Sequence, residues 1–316
     1  MRKIFWSALL GVFLSLGAFV SARAEGTLRI AYQPSPLYAP LFVAKANHWV
    51  EEEAAKAGGA RIEWAVFAAG PAMNESFAAG QQDIGLMGDT PALIGKAVGI
   101  DTRVVGLSVS GPKGQGVLVA SRSPIEKLGD LKGKKIAVTK GSFAQHFLTL
   151  VLEKAGLTEK DVSIINMQPA EIPSAVIVGA VDAGITWEPY LTRFETDGAV
   201  RVLVDGTGLK SGVQPILATA KAVSAKSELI RAFLRAYARG AEAIREDPVQ
   251  AAKWTAKDCG LPPALLEKVF AKQTFAPPLN DAAVGEFKKT EAYMQTHGLL
   301  RKKVDVDAWV IRSFVP

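Results

Sequence analysis

Ser110-Gly111-Pro112-Lys113-Gly114-Gln115-Gly116 and, further on, Asp205-Gly206-Thr207-Gly208-Leu209 are the two stretches that decide the fold. Each is a glycine-rich break in an otherwise regular alternation of strands and helices. Upstream of the first break, strands are predicted at Leu28–Tyr32, Arg61–Phe67, Asp83–Met87 and Arg103–Val109, and helices at Pro40–Ala57, Pro71–Ala79 and Thr90–Val98. The first of these helices can break near Asn47-His48. Between the breaks the alternation starts again. Strands are predicted at Val117–Ala120, Lys135–Thr139, Val162–Asn166, Val181–Ile185 and Arg201–Val204, with helices at Ser142–Ala155, Ala170–Gly179 and Pro189–Glu195. Alternation of this kind builds mostly parallel sheets flanked by helices. Ile216–Thr219 reads as a strand returning to the first unit, and the chain is helical after it. Apolar residues at Leu229, Ile230, Phe233, Leu234, Tyr237 and Ala241 carry helical spacing through Ser227–Arg245. Further helices are expected at Val249–Ala256, Pro263–Ala271 and Asp281–His297. Two α/β lobes joined by two crossovers form a hinge with a cleft; a single large doubly wound sheet with ordinary glycine turns is the alternative.

The ends and the composition bound the setting. Arg2 and Lys3 precede an apolar run from Ile4 to Val20, and Ala22-Arg23-Ala24 supplies small residues two apart before Glu25. This order reads as a secretory signal peptide, residues 1–24, cleaved after Ala24; the run is short for a membrane anchor. Cleavage removes three of the 37 basic residues and none of the 31 acidic ones, leaving 34 against 31, a balance of +3. The basic residues are dispersed, which argues against a nucleic-acid partner. Cys259 is the single cysteine, so neither an intrachain disulfide nor a cysteine-based metal site can form. The domain reading is residues 25–112 with 212–316 as the first lobe and 113–211 as the second.

In open parallel sheets, ligands lie beyond the carboxyl ends of the strands, near helix starts. Four strand-to-helix junctions are alike: Ala69-Gly70-Pro71, Gly88-Asp89-Thr90-Pro91, Lys140-Gly141-Ser142 and Trp187-Glu188-Pro189-Tyr190. Proline sits in the first turn of three of them, where its missing N–H costs nothing. Helix starts carry unpaired N–H donors and partial positive charge, so a set of them suits an anion. Taken singly, Thr90 and Ser142 are also ordinary N-cap residues. Asp89 would repel an anion; capping of Pro91 or Ala92, or pairing with a cation on the ligand, accounts for it. No catalytic set accompanies these junctions. The three histidines, His48, His146 and His297, lie in no metal-binding motif, and no serine nucleophile elbow, dinucleotide fingerprint or P-loop ending is present. The sequence calls for no metal and no cofactor.

These motifs resemble the aliphatic-sulfonate-binding proteins of bacterial ABC importers, within a wider group of taurine, nitrate and thiamine-precursor binders. The likeness runs over nearly the whole chain after residue 24. It is carried by Phe67-Ala68-Ala69-Gly70-Pro71-Ala72-Met73, by Asp83 through Pro91, by Gly133 through Ser142, and by Trp187-Glu188-Pro189-Tyr190 following Val181-Asp182-Ala183. Val200 through Thr207 and Lys302-Lys303-Val304-Asp305 add later matches. The resemblance implies a type II periplasmic-binding fold, a monomer that takes a small anion and hands it to a membrane permease. It implies Gln33, Gly70, Pro71, Asp89, Thr90, Ser142, Trp187 and Glu188 at or near the site. One departure bears on the ligand. Sulfonate binders often continue Lys-Gly-Ser with more serines and a histidine, whereas here Phe143-Ala144-Gln145 follow. Hydroxyl donors are lost and an aromatic ring is gained, so Phe143 joins Trp187 as a wall for the organic part. Taurine, nitrate, an aromatic sulfonate or a thiamine precursor remain alternative ligands. Desulfinase-like enzymes share the resemblance, but their reactive cysteine has no counterpart at the junctions.

Overall fold

The structure is a computed structural model, and it describes residues 26–314. The signal peptide expected at 1–24 lies outside the described residues.

Two sheets organise the chain. The first contains β1 (Gly26–Tyr32), β2 (Ala60–Val66), β3 (Ile84–Leu86), β4 (Thr102–Ser110), β10 (Gln214–Thr219) and β11 (Thr274–Phe275). Its order is β11-β4-β10-β3-β1-β2. The second contains β5 (Gln115–Ala120), β6 (Lys135–Val138), β7 (Ser163–Asn166), β8 (Ala183–Trp187) and β9 (Val200–Asp205), in the order β7-β6-β8-β5-β9. In the first sheet β1 runs parallel to β2 and β3, while β10 runs antiparallel to both β3 and β4. In the second, β6 is parallel to β7 and β8, and β5 is antiparallel to β8 and β9. Each sheet is therefore mostly one-directional with a reversed strand beside its centre, the one that enters the sheet from a crossover; in the first sheet the edge strand β11 is reversed as well.

The helices follow the expected order. They are α1 (Ala39–Ala46), α2 (Trp49–Lys56), α3 (Gly70–Ala78), α4 (Asp89–Ala97), α5 (Phe143–Lys154), α6 (Ile172–Ile177), α7 (Tyr190–Thr196), α8 (Ala220–Ala225), α9 (Ser227–Glu246), α10 (Pro248–Cys259), α11 (Pro263–Phe270), α12 (Asp281–Thr296) and α13 (Val306–Trp309). The break expected near Asn47-His48 separates α1 from α2, where His48 turns to a left-handed φ of 56°. The apolar stripe of α9 is buried at Leu229, Ile230, Phe233, Leu234, Tyr237 and Ala241.

Two features correct the sequence expectation. The tail after residue 219 is not wholly helical, because β11 pairs with the outer edge of β4. The short helices α8 and α13 were also unforeseen. A two-residue strand and helices of four to six residues hold too few residues for a periodic signal.

The chain passes between the sheets at 111–114 and at 206–213, and these two spans touch. Gly111 N–H donates to the Ser211 carbonyl at 3.1 Å, and Gly206 N–H donates to the Pro112 carbonyl at 3.0 Å. A Cβ on Gly206 would stand 2.5 Å from the Pro112 oxygen, and one on Gly212 would stand 2.4 Å from the Gly111 oxygen. Glycine at these two positions is what lets the crossovers lie backbone to backbone.

Candidate functional site

The carboxyl ends of β2 and β3 in one sheet and of β6 in the other lead into α3, α4 and α5, and the starts of these helices meet. A Cβ placed on Gly70 would lie 2.5 Å from Cγ of Pro91, so α3 and α4 begin against each other. One placed on Gly88 would lie 2.8 Å from Cδ1 of Phe143, and one on Gly141 would lie 3.3 Å from Cγ of Pro71. Each of the three helix starts therefore touches the other two. Two come from the first sheet and one from the second, so the contact spans the gap between sheets.

Ala69, Gly88 and Ser142 occupy the N-cap positions, and none makes a side-chain cap hydrogen bond. The first N–H groups of a helix have no partner within it. Several N–H groups at these starts are taken within the chain: Asp89 Oδ1 accepts from the Thr90 N–H at 2.7 Å, Gln145 Oε1 from the Gly141 N–H at 2.7 Å and the Thr139 carbonyl from the Ser142 N–H at 3.3 Å. Ser142 is buried, and its hydroxyl donates to the Thr139 carbonyl at 2.7 Å. The Ser142 hydroxyl proton is thus committed within the turn. The Phe143 ring lies 5.1 Å, centroid to centroid, from Trp187 at a tilt of 42°. It fills the space between Gly88 and Trp187 and gives the site an apolar wall.

The fourth junction differs. Glu188 is completely buried. Its carboxylate accepts from the Thr192 N–H at 3.0 Å, from the Thr192 hydroxyl at 2.7 Å and from the Lys272 ammonium at 2.9 Å. The start of α7 is therefore stoppered by its own chain. The Glu188 carbonyl accepts from Ser35 Oγ at 2.8 Å, tying the second sheet's turn to the first. Gln33 follows β1, is buried, and donates through Nε2 to Tyr38 Oη at 3.3 Å. Tyr38 in turn donates to Gln214 Oε1 at 2.7 Å.

Asp89 is neither a cap for Pro91 or Ala92 nor free for a ligand cation. Its Oδ1 accepts from Thr90, and its Oδ2 accepts from Lys210 Nζ at 2.5 Å and Thr290 Oγ1 at 3.0 Å. Both ends of the Asp89–Lys210 pair are about 5% exposed. Burial, the largest single influence, pulls the Asp89 carboxyl's pKa up, but Lys210, His146 and Thr290 together outweigh it, and the group sits below the ordinary carboxylate range. Lys210 also approaches His146 Nδ1 at 3.2 Å. An ammonium can only donate, so Nδ1 accepts and the imidazole carries its proton on Nε2. Burial, followed by the nearby Lys210 charge, drives the His146 pKa down to about 3. Asp89 belongs to α4, His146 to α5, Thr290 to α12 and Lys210 to the second crossover, so one buried network joins helices of both sheets to that crossover. No sequence pattern announced Lys210, Thr290 or Lys272, because each partner lies far away along the chain.

A histidine that is neutral when folded and titrates near 6.5 when unfolded opposes folding in acid. Its unfolded form binds the extra proton, so stability is complete above pH 6.5 and falls as the pH drops towards 3. Between pH 6.5 and 4.5 the loss from His146 comes to about 2 kcal/mol. His146→Gln, which keeps an acceptor for Lys210, should flatten that part of the pH profile in urea titrations. An unchanged slope would place the acid sensitivity elsewhere.

Residues 36–251 match the family described as NMT1/THI5 like. Among solved structures, the alkanesulfonate-binding protein SsuA from Xanthomonas axonopodis pv. citri, bound to MOPS, is 31% identical with a TM-score of 0.83. The comparison covers 92% of this chain and 99% of that one. The periplasmic aliphatic sulphonate binding protein SsuA from Escherichia coli is also 31% identical, with a TM-score of 0.78 over 90% of this chain and 97% of that one. The type II periplasmic-binding fold is thus shared with proteins that bind small molecules. On the extent of the matched region and the agreement of the fold, the chain belongs to the NMT1/THI5-like family.

Proposed function

We propose that this protein is the periplasmic solute-binding component of an ABC importer, capturing an organic sulfonate or closely related small anion and presenting it to the membrane permease. The observation that carries the reading is the mutual contact of the starts of α3, α4 and α5 across the gap between sheets. Converging helix starts turn partial positive charge and N–H donors onto one point, which suits a compact anionic head group. Phe143 and Trp187 offer apolar surface to the organic part. The names of the structural relatives support sulfonate over other anions. Residues 25–112 with 212–316 and residues 113–211 are the two lobes of this reading, closing about the paired crossovers. Gly70, Pro71, Thr90, Ser142 and Phe143 line its binding point. Asp89 and Glu188 hold the lobes together, and Gln33 braces the floor.

The role is binding without turnover. Cys259, the one thiol, ends α10 away from the helix-start cluster, and burial pushes its pKa well up, the reverse of what a nucleophile needs.

Calorimetry and thermal shift with alkanesulfonates, sulfate, nitrate, phosphonates and a neutral pyrimidine test the assignment. An alkanesulfonate should raise the melting midpoint by mass action, with micromolar or tighter affinity of about −8 kcal/mol. A response to the neutral pyrimidine alone would overturn the anion reading.

A further inference from the structure

Gln115 opens β5 where the chain leaves the first crossover. It is completely buried, and neither its amide nitrogen nor its amide oxygen has a hydrogen-bond partner among the described residues. A buried carboxamide with both ends unpaired is an expensive residue to keep, and an apolar side chain of its size would serve packing better. Its placement shows what could pair with it. In the β5–β8 ladder Gln115 stands directly opposite Trp187, and Val117 opposite Ile185. Alternation puts Gln115, Val117 and Val119 on one face, and the two valines share their apolar cluster with Trp187, Ile185 and Phe143. The other face of β5 turns away, with Leu118 packed beside Leu191 and Ile172. Directly opposed residues on one face stand within side-chain reach. The amide therefore lies beside Trp187, which touches Phe143, which touches Gly88 at the helix starts.

We propose that Gln115 is a specificity-determining residue that reads a hydrogen-bonding substituent on the organic part of the ligand, so that the preferred substrates are hydroxyl- or amino-bearing sulfonates rather than plain alkanesulfonates. This rests on the anion-binding reading above. With the head group at the helix starts and the carbon chain along Phe143 and Trp187, the far end of a short ligand arrives at Gln115. A hydroxyl accepts from Nε2 and donates to Oε1, pairing both ends of the amide at once. An amino group satisfies Oε1. A methyl group in the same place satisfies neither, and sites with buried polar groups discriminate against ligands that leave them unpaired.

The test uses two size-matched pairs by calorimetry on the purified protein: 2-hydroxyethanesulfonate against propanesulfonate, and 3-hydroxypropanesulfonate against butanesulfonate. The wild type should bind the hydroxylated member at least tenfold more tightly in one pair. Gln115→Leu should abolish or invert that preference while keeping or raising the melting midpoint, since it removes an unpaired amide from the interior. Gln115→Glu keeps the shape but sets a carboxylate beside the anion, and both members should weaken. Equal binding within both pairs, or a preference that survives in Gln115→Leu, would overturn the role of Gln115 and leave the anion site standing. Failure of all four sulfonates to bind the wild type would overturn both.

Discussion

Lys210→Met should lower the stability of the folded protein by about 3–5 kcal/mol, the usual penalty for removing one partner of a buried ion pair. The loss is not the worth of one contact. Asp89 is left as a charge with about 5% exposure and only neutral partners in Thr90 and Thr290. Methionine fills the lysine's stem but offers no donor. The carboxyl would recover part of the cost by taking up a proton, so the deficit should shrink in acid, opposite to the ordinary acid response of such proteins. Pairing the change with Asp89→Asn removes the stranded charge, and the double variant should regain most of the stability. Urea unfolding of the two single variants and the double variant checks this. Additive losses in the double variant would show that the two groups do not act as a pair.

The second large effect concerns ligand capture. Gly88→Ala should weaken binding by roughly tenfold to a hundredfold, which corresponds to an overpacking cost of about 1–3 kcal/mol. The added methyl would meet Phe143 at Cδ1, Cβ and Cγ, at 2.8, 3.0 and 3.1 Å. Cβ is fixed by the backbone at the first residue of α5, so rotation about the Cα–Cβ bond can swing Cγ and Cδ1 aside but leaves the 3.0 Å contact in place. Relief requires the sheets to move apart. That cost falls on the arrangement in which Gly88 and Phe143 touch, which the ligand-free structure already has, so it should appear in calorimetric affinity and also as a lowered unliganded melting midpoint. Adding Phe143→Ala should restore part of the lost affinity. Wild-type affinity in the single variant would mean that ligand binds without bringing α4 and α5 together.

Much of this architecture was legible in the chain. The two glycine-rich breaks coincide with the crossovers, and the proline-marked turns coincide with helix starts, because local backbone requirements leave local signatures. The convergence of Gly70, Gly88 and Gly141 followed from fold logic applied to those turns. The polar partners did not. Asp89 meets a lysine 121 residues away and Glu188 one 84 residues away, and no periodicity records such a pairing. Gln115 sits in a break that reads as a turn, and its burial depends on a ladder that only the folded sheet defines. Glu188 looked like part of an open junction because a carboxylate that stoppers its own helix has the same sequence as one that faces a ligand.

The position of β10 fixes the order in which the molecule can be assembled. It is the strand between β4 and β3, so residues 26–110 alone would leave a gap in the middle of their sheet, with two bare strand edges facing it. Residues 115–205, by contrast, hold every strand of the other sheet in one continuous stretch. A chain synthesised from its amino end can finish the inserted half while the outer half still waits for Gln214–Thr219 to slot in. Until then the exposed edges invite pairing with strangers.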